Sequence, residues 1–175
     1  MRKLSLSIIL YISICLAGCA GSQKKNDKLA GDSKKVVGDF SLPDLKGHKV
    51  RLSDFKDKVI FISFWATWCE PCRSELPQLE KIWKRHQDKG FELISIAVDP
   101  PDLEGAVRQM VRRYRYKFPV LLDHETEVSN RFNPTMDLPF GLLIDQDGRI
   151  VATHAGYRIG DEETIEKEII ELLAD

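Results

Sequence analysis

The segment Val59–Trp83, VIFISFWATWCEPCRSELPQLEKIW, constrains this chain more than any other. Val59 to Ala66 is apolar and rich in β-branched and aromatic side chains, the composition of a strand covered on both faces. Pro71 stands where a first helical residue tolerates proline, because an N–H there has no intrahelical partner to lose. Leu76, Leu79, Ile82 and Trp83 follow at helical spacing. The segment therefore reads as a buried strand running into a helix, with two cysteines at the junction. Cys69 falls at or beside the N-cap and Cys72 one turn along.

That placement has chemical consequences. First-turn N–H groups lack intrahelical partners, and the helix macrodipole is positive there. A thiolate at Cys69 would accept those N–H bonds, so its pKa is expected below that of a free thiol. Only the thiolate attacks a disulfide, which makes this position a nucleophile near neutral pH. Cys72, three residues on, shares the same helical face and can close a ring with Cys69, expelling a bound partner.

The remaining cysteines, Cys15 and Cys19, belong to the N-terminus, which reads as a targeting segment. Arg2 and Lys3 precede an apolar run, Leu4 to Leu16, too short for a spanning helix. Leu16-Ala17-Gly18-Cys19 resembles a bacterial lipobox. That resemblance implies cleavage after residue 18 and a lipid on the Cys19 thiol. Residues 19–35 are polar and without periodicity, the character of a flexible tether, and 36–175 form one domain. Processing would leave Cys69 and Cys72 as the only free thiols, so a disulfide framework is excluded. The net charge of −1 points to neither nucleic acid nor an anionic membrane surface as partner.

Along the chain, Asp39–Leu42 and Lys49–Leu52 read as a hairpin around Lys46-Gly47, and Ser53–Lys56 as a helical turn. Gly90 is expected to cap the cysteine-bearing helix, with a kink at Pro77. Phe91–Val98 is a second buried strand, stopped by Asp99-Pro100-Pro101. A helix follows with Leu103, Val107, Met110 and Tyr114 on one face. Its other face carries Arg108, Arg112, Arg113 and Arg115, either a solvated basic face or a docking patch for an acidic partner. Pro119–Asp123 reads as a strand, Glu125–Phe132 as a short helix, and Leu138–Asp145 as a strand turning at Gln146-Asp147-Gly148 into Arg149–Ala155. Asp161–Leu173 is the last helix, with Asp161, Glu162 and Glu163 at its positive end. Strands separated by helices, then a terminal hairpin, give an α/β fold with a central mixed sheet.

Phe64-Trp65-Ala66-Thr67-Trp68-Cys69-Glu70-Pro71-Cys72, followed by Glu75, Leu76 and Pro77, resembles the membrane-attached TlpA/ResA-like thiol–disulfide oxidoreductases of the thioredoxin superfamily. The resemblance spans about Val36 to Asp175. It implies a thioredoxin-like fold with an inserted helix–strand element, comprising the Val107 helix and the strand before it. It implies that Pro139 is a cis-proline facing the disulfide, and that Leu138, Pro139, Trp68 and Pro71 contact substrate. Thioredoxin itself has a buried Asp six residues before its first cysteine, where this chain has Ser63. Glu75 is the expected replacement, placed on the face of Cys72 to take its proton. Phe64 is expected in the core, with Trp65 and Trp68 shielding the thiols and lining the partner-binding surface. Glu70, next to Cys69, should oppose its thiolate and keep the pKa near the upper end of the Cys-X-X-Cys range, giving a low reduction potential suited to a reductant.

The leading expectation is thus a reductase of disulfides in protein partners, with apocytochrome c the foremost. It would work as a monomer on the extracytoplasmic face of a bacterial envelope, lipid-anchored to a membrane and supplied with electrons by a membrane thiol carrier. Its only redox centre would be the Cys69–Cys72 pair, since no flavin, nicotinamide or nucleotide motif is found. Two other readings compete. A Cu(I) carrier would use Cys69 and Cys72 with His48, His86, His124 or His154 as third ligand, although no histidine lies at a spacing that marks a metal site. A thiol peroxidase would use a threonine near its reactive cysteine, but Thr67 lies two residues before Cys69 rather than three.

Overall fold

Strand β3 (Val59–Trp65) is buried at every position, as an apolar run with no polar alternation requires. The computed structural model describes residues 35–174. The expected signal peptide, Cys19 and all but the last residue of the expected tether lie outside the described residues.

The chain opens with a hairpin, β1 (Ser41–Pro43) and β2 (Lys49–Arg51), whose antiparallel register pairs Leu42 with Val50. Its turn places Gly47 at φ +83°, and the Asp44 carboxylate accepts from the Lys46 and His48 N–H groups. After β3 come helix α1 (Glu70–His86), strand β4 (Phe91–Ala97), helix α2 (Glu104–Tyr114) and strand β5 (Val120–Leu122). Helix α3 (Glu127–Phe132), strands β6 (Phe140–Ile144) and β7 (Ile150–Ala155), and helix α4 (Asp161–Leu173) complete the order.

The main sheet runs β5-β4-β3-β6-β7, with β3, β4 and β5 mutually parallel and β6 and β7 antiparallel to their neighbours. This is the mixed sheet expected from the sequence. Strand parity separates the two faces. Ser63 reaches α1 through Glu75, and His154 of β7 reaches α4 through Glu168. Phe64, of opposite parity, packs near Phe132 of α3 with ring centres 6.3 Å apart. Helices α1 and α4 therefore cover one face and α3 the other.

One detail of α1 differs from expectation. The α-helix ends at His86, and a 3₁₀ turn over Gln87–Lys89 precedes Gly90, whose φ of +94° closes that turn rather than the helix. Pro77 lies inside α1, which continues through it to His86. One close approach fixes the sheet near the site. Gly141 pairs with Ser63 and His154, and a Cβ there would stand 2.4 Å from Phe61 Cζ. The Phe61 ring occupies the space a side chain would need.

Candidate active site

The end of β3 delivers the chain to α1 through Ala66, Thr67 and Trp68. Cys69 is the N-cap, extended at φ −84° and ψ 107°, and Pro71 occupies the second helical position rather than the first. The Cys69 Sγ accepts from the Cys72 N–H at 3.2 Å. It therefore takes one of the donors that the helix start leaves unpartnered. Cys69 and Cys72 form a disulfide with Cα atoms 5.3 Å apart. The two sulfurs differ in access: Cys69 retains 5% of its surface in solvent and Cys72 none. An external thiol or disulfide can reach Cys69 only.

Glu75 follows Cys72 by three residues and is buried to the same degree, with 1% exposure. Its Oε2 accepts from the Ser63 hydroxyl at 3.0 Å. Removal from water pushes its carboxyl up to about 7; the Ser63 bond opposes the rise and the Asp161 charge adds to it. A carboxyl of that affinity exchanges its proton at physiological pH. That is the property a general acid–base needs.

Strand β6 supplies the opposite wall. Its register with β3 pairs Phe140 with Phe64, so one step further sets Pro139 opposite Trp65, at the approach to the cysteines. The Leu138–Pro139 peptide bond is cis. Pro139 is buried, Leu138 half-buried, and the Pro139 carbonyl accepts from the Gly156 N–H at 2.8 Å. Trp68 and Pro71 are exposed, Trp68 at 62%. Trp65 is not part of that surface: it is fully buried, because it ends the central strand on the face under α1. Phe64 is in the core as expected.

The chain matches the AhpC/TSA family over residues 34–153. It is 32% identical over 166 residues to the thiol-disulfide oxidoreductase ResA of Bacillus cereus, covering 93% of this chain and 94% of that one. Identity to ResA of Halalkalibacterium halodurans is also 32%, over 168 residues, 96% of this chain and 92% of the relative. The chain belongs to the AhpC/TSA family. Within it, the ResA relatives and the disulfide at the helix start make it a ResA-type thiol–disulfide oxidoreductase. Its fold is similar to a thioredoxin-family thiol:disulfide interchange protein of Chlorobium tepidum, with TM-score 0.71, 25% identity, and 82% and 99% of the two chains covered. It is also similar to the thioredoxin domain of a Bacteroides vulgatus thiol-disulfide oxidoreductase, with TM-score 0.65, 27% identity, and 78% and 96% coverage.

In this ResA-type enzyme Glu70 is turned outward and paired with Arg73, so its opposition to a Cys69 thiolate is partly neutralised. Asp99 is a residue that sequence reasoning assigned only to a strand end. It is fully buried, and both its oxygens accept from the Thr67 N–H, at 3.0 and 3.1 Å, while the Thr67 hydroxyl donates to Oδ1. Burial raises its carboxyl, against the Thr67 bonds. The loop entering Cys69 is thereby hung from the end of β4. An acid closing a buried parallel strand at the end where α/β sites form was the signal available.

The histidines weighed as copper ligands are each engaged with a carboxylate: His48 with Asp44, His86 with Glu166, His124 with Glu104, His154 with Glu168. Among the described residues no cluster of three or more His, Cys, Asp or Glu side chains is placed to hold a metal ion. Among the described residues no helix is long and apolar enough to cross a membrane.

Proposed function

We propose that this oxidoreductase reduces disulfides in protein partners on the extracytoplasmic face of a bacterial envelope. Its leading role is to keep apocytochrome c thiols reduced for haem attachment. The unequal access of its two sulfurs carries the reading. In the reduced protein the Cys69 thiolate attacks one sulfur of the substrate disulfide. The S–S bond breaks, the first substrate thiolate leaves, and a mixed disulfide forms. Cys72 then gives its proton to Glu75 and attacks Cys69 Sγ, forming the internal disulfide and releasing the second substrate thiolate. Two electrons pass to the substrate, whose thiolates take up two protons. Leu138, Pro139, Trp68 and Pro71 form the surface against which the substrate chain lies.

No bound cofactor takes part in this cycle. Electrons return from a membrane thiol carrier that reduces the Cys69–Cys72 disulfide. The lipid expected on Cys19 holds the domain near that carrier, and the protein acts as a monomer. Cys72→Ala removes the resolving thiol, so a substrate captured by Cys69 stays covalently bound. Expression of that variant in a bacterial envelope should yield mixed disulfides with cytochrome c apoproteins, releasable by reductant. If the trapped proteins exclude apocytochromes, the maturation role is refuted; if nothing is trapped, the exchange reading itself falls.

A further inference from the structure

A cleft of about 440 Å³ opens between the first turns of α1 and one face of α2. Thr67, Glu70 and Arg73 form its α1 side, so it begins beside Cys69. Met110, Arg113 and Tyr114 form the opposite side. Beyond it α2 ends in a run of exposed cations: Arg112, Arg113, Arg115 and Lys117. Arg108, one turn earlier, is occupied by Glu104 and the Leu45 carbonyl. Among the described residues none of the other four has an ion-pair partner. They concentrate positive charge on a chain whose net charge is −1.

Helix polarity accounts for part of this run. Arg112 and Arg113 lie in the last turn of α2, where the macrodipole favours cations. The C-cap Arg115 gains from it too, but it does not account for Lys117, two residues further on, nor for an aromatic ring at the surface. Tyr114 is 43% exposed and is stacked on Tyr116 at 5.5 Å, which is stacked on Phe118 at 4.9 Å. The Arg113 guanidinium lies 5.9 Å from the Tyr114 ring centre. A backed tyrosine has little freedom left to lose on binding, and Tyr with Arg is a pairing enriched where partners bind.

We propose that this cleft docks an acidic segment of the protein substrate, flanking the cysteine that Cys69 attacks. Carboxylates on that segment meet Arg113 and the cations around it, while an apolar or aromatic side chain packs on Tyr114. The inference rests on the reading that the chain exchanges disulfides with proteins, and adds which proteins it prefers. Charge at this rim would act chiefly on encounter, so its effect is on association rate and is weakened by salt.

The test uses the reduced full chain and three synthetic peptides sharing one internal disulfide, flanked by Asp and Glu, by Asn and Gln, or by Lys. Second-order rates of reduction are read at low and at high salt. The acidic peptide should be reduced about tenfold faster than the basic one at low salt, as expected for a few exposed charge pairs. The ratio should collapse at high salt. Arg113→Glu should bring the ratio to one or below, and Arg113→Lys should retain it. Because the readout is a ratio within each variant, a general loss of activity does not imitate it. Equal rates for all three peptides, or a preference that survives Arg113→Glu, would overturn the proposal and leave the exchange chemistry standing. Failure of the wild type to reduce any of the peptides, or the small uncharged hydroxyethyl disulfide, would overturn the exchange reading itself.

Discussion

Glu75→Gln tests whether a buried carboxyl is the proton acceptor of this site. The substitution keeps the side-chain shape and leaves an oxygen to accept from Ser63, 3.0 Å away in the wild type. It removes only the ability to ionise. Burial raises the Glu75 carboxyl from an ordinary value of 4.5 to about 7. Below pH 4.5 the group is protonated in both folded and unfolded chains and contributes no pH dependence. Between 4.5 and 7 the unfolded chain has released its proton and the folded chain has not, so folding stability falls as pH rises. Above 7 the loss is complete. At about 1.4 kcal/mol per tenfold change in proton affinity, it amounts to roughly 3 kcal/mol. Glu75→Gln has no such slope. In a domain of this size roughly 3 kcal/mol corresponds to about 10 °C in Tm. Thermal unfolding of the oxidised proteins should give similar Tm values at pH 4.5 and a variant more stable by about that amount at pH 8. The same change should slow release of the mixed disulfide by about a hundredfold, the loss expected for a positioned base. Parallel Tm curves across the whole range would refute the buried, raised carboxyl. Unchanged release kinetics would remove Glu75 from the mechanism even if the stability result held.

Other expectations follow from single contacts. Ser63→Ala withdraws the one hydroxyl that stabilises ionised Glu75, so the inflection in the rate–pH profile should move upward, with about 1–3 kcal/mol lost at pH 8 and less at pH 5. Gly141→Ala drives a methyl group into the Phe61 ring on a fully buried strand and should cost about 1–3 kcal/mol in chemical denaturation. Glu166 sits between α4 and α1, held below the usual carboxylate range first by Arg85 and then by His86. Its depressed affinity contributes stability above the ordinary carboxylate range that disappears as pH falls through the folded value. Glu166→Gln should therefore destabilise at neutral pH by under about 1 kcal/mol, since the pair is partly exposed, and match the wild type in acid.

How far the sequence disclosed this arrangement depended on the kind of signal. The strand Val59–Trp65 and the helix behind it were legible because apolar composition and periodicity are local properties, and both cysteines sit at their junction. The order of helices and strands was legible for the same reason. The cis bond at Pro139 was reached only through resemblance, since one X–Pro sequence looks like another. Asp99 was missed because its partner, Thr67, lies far away in sequence and is brought near only by the parallel pairing of β3 with β4. Trp65 was misplaced on the partner-binding surface because it stands beside a reactive pair in sequence, whereas strand parity turns it inward under α1. Glu75 stood out as the candidate acid, but its burial was invisible: charge at a helical position says nothing about which face the fold closes over.

The contact between Ser63 and Glu75 gives the departure from thioredoxin a geometric meaning. Residue 63 lies on the central strand and residue 75 on the helix that packs over it, and their side chains meet within hydrogen-bond distance. A carboxylate delivered from the strand and one delivered from the helix would therefore compete for the same small volume. Two together would place like charges in contact in a site that already penalises one. Ser63 is what a helix-borne acid requires at that position: small enough to leave room, and a donor that partly offsets the burial. The alternatives differ in what they move with. An acid on β3 is fixed to the sheet. Glu75 belongs to α1, whose first turns carry Cys69 and Cys72. The proposed base is thus fixed to Cys72 by the helical backbone itself, and any shift of the helix start would carry both groups together.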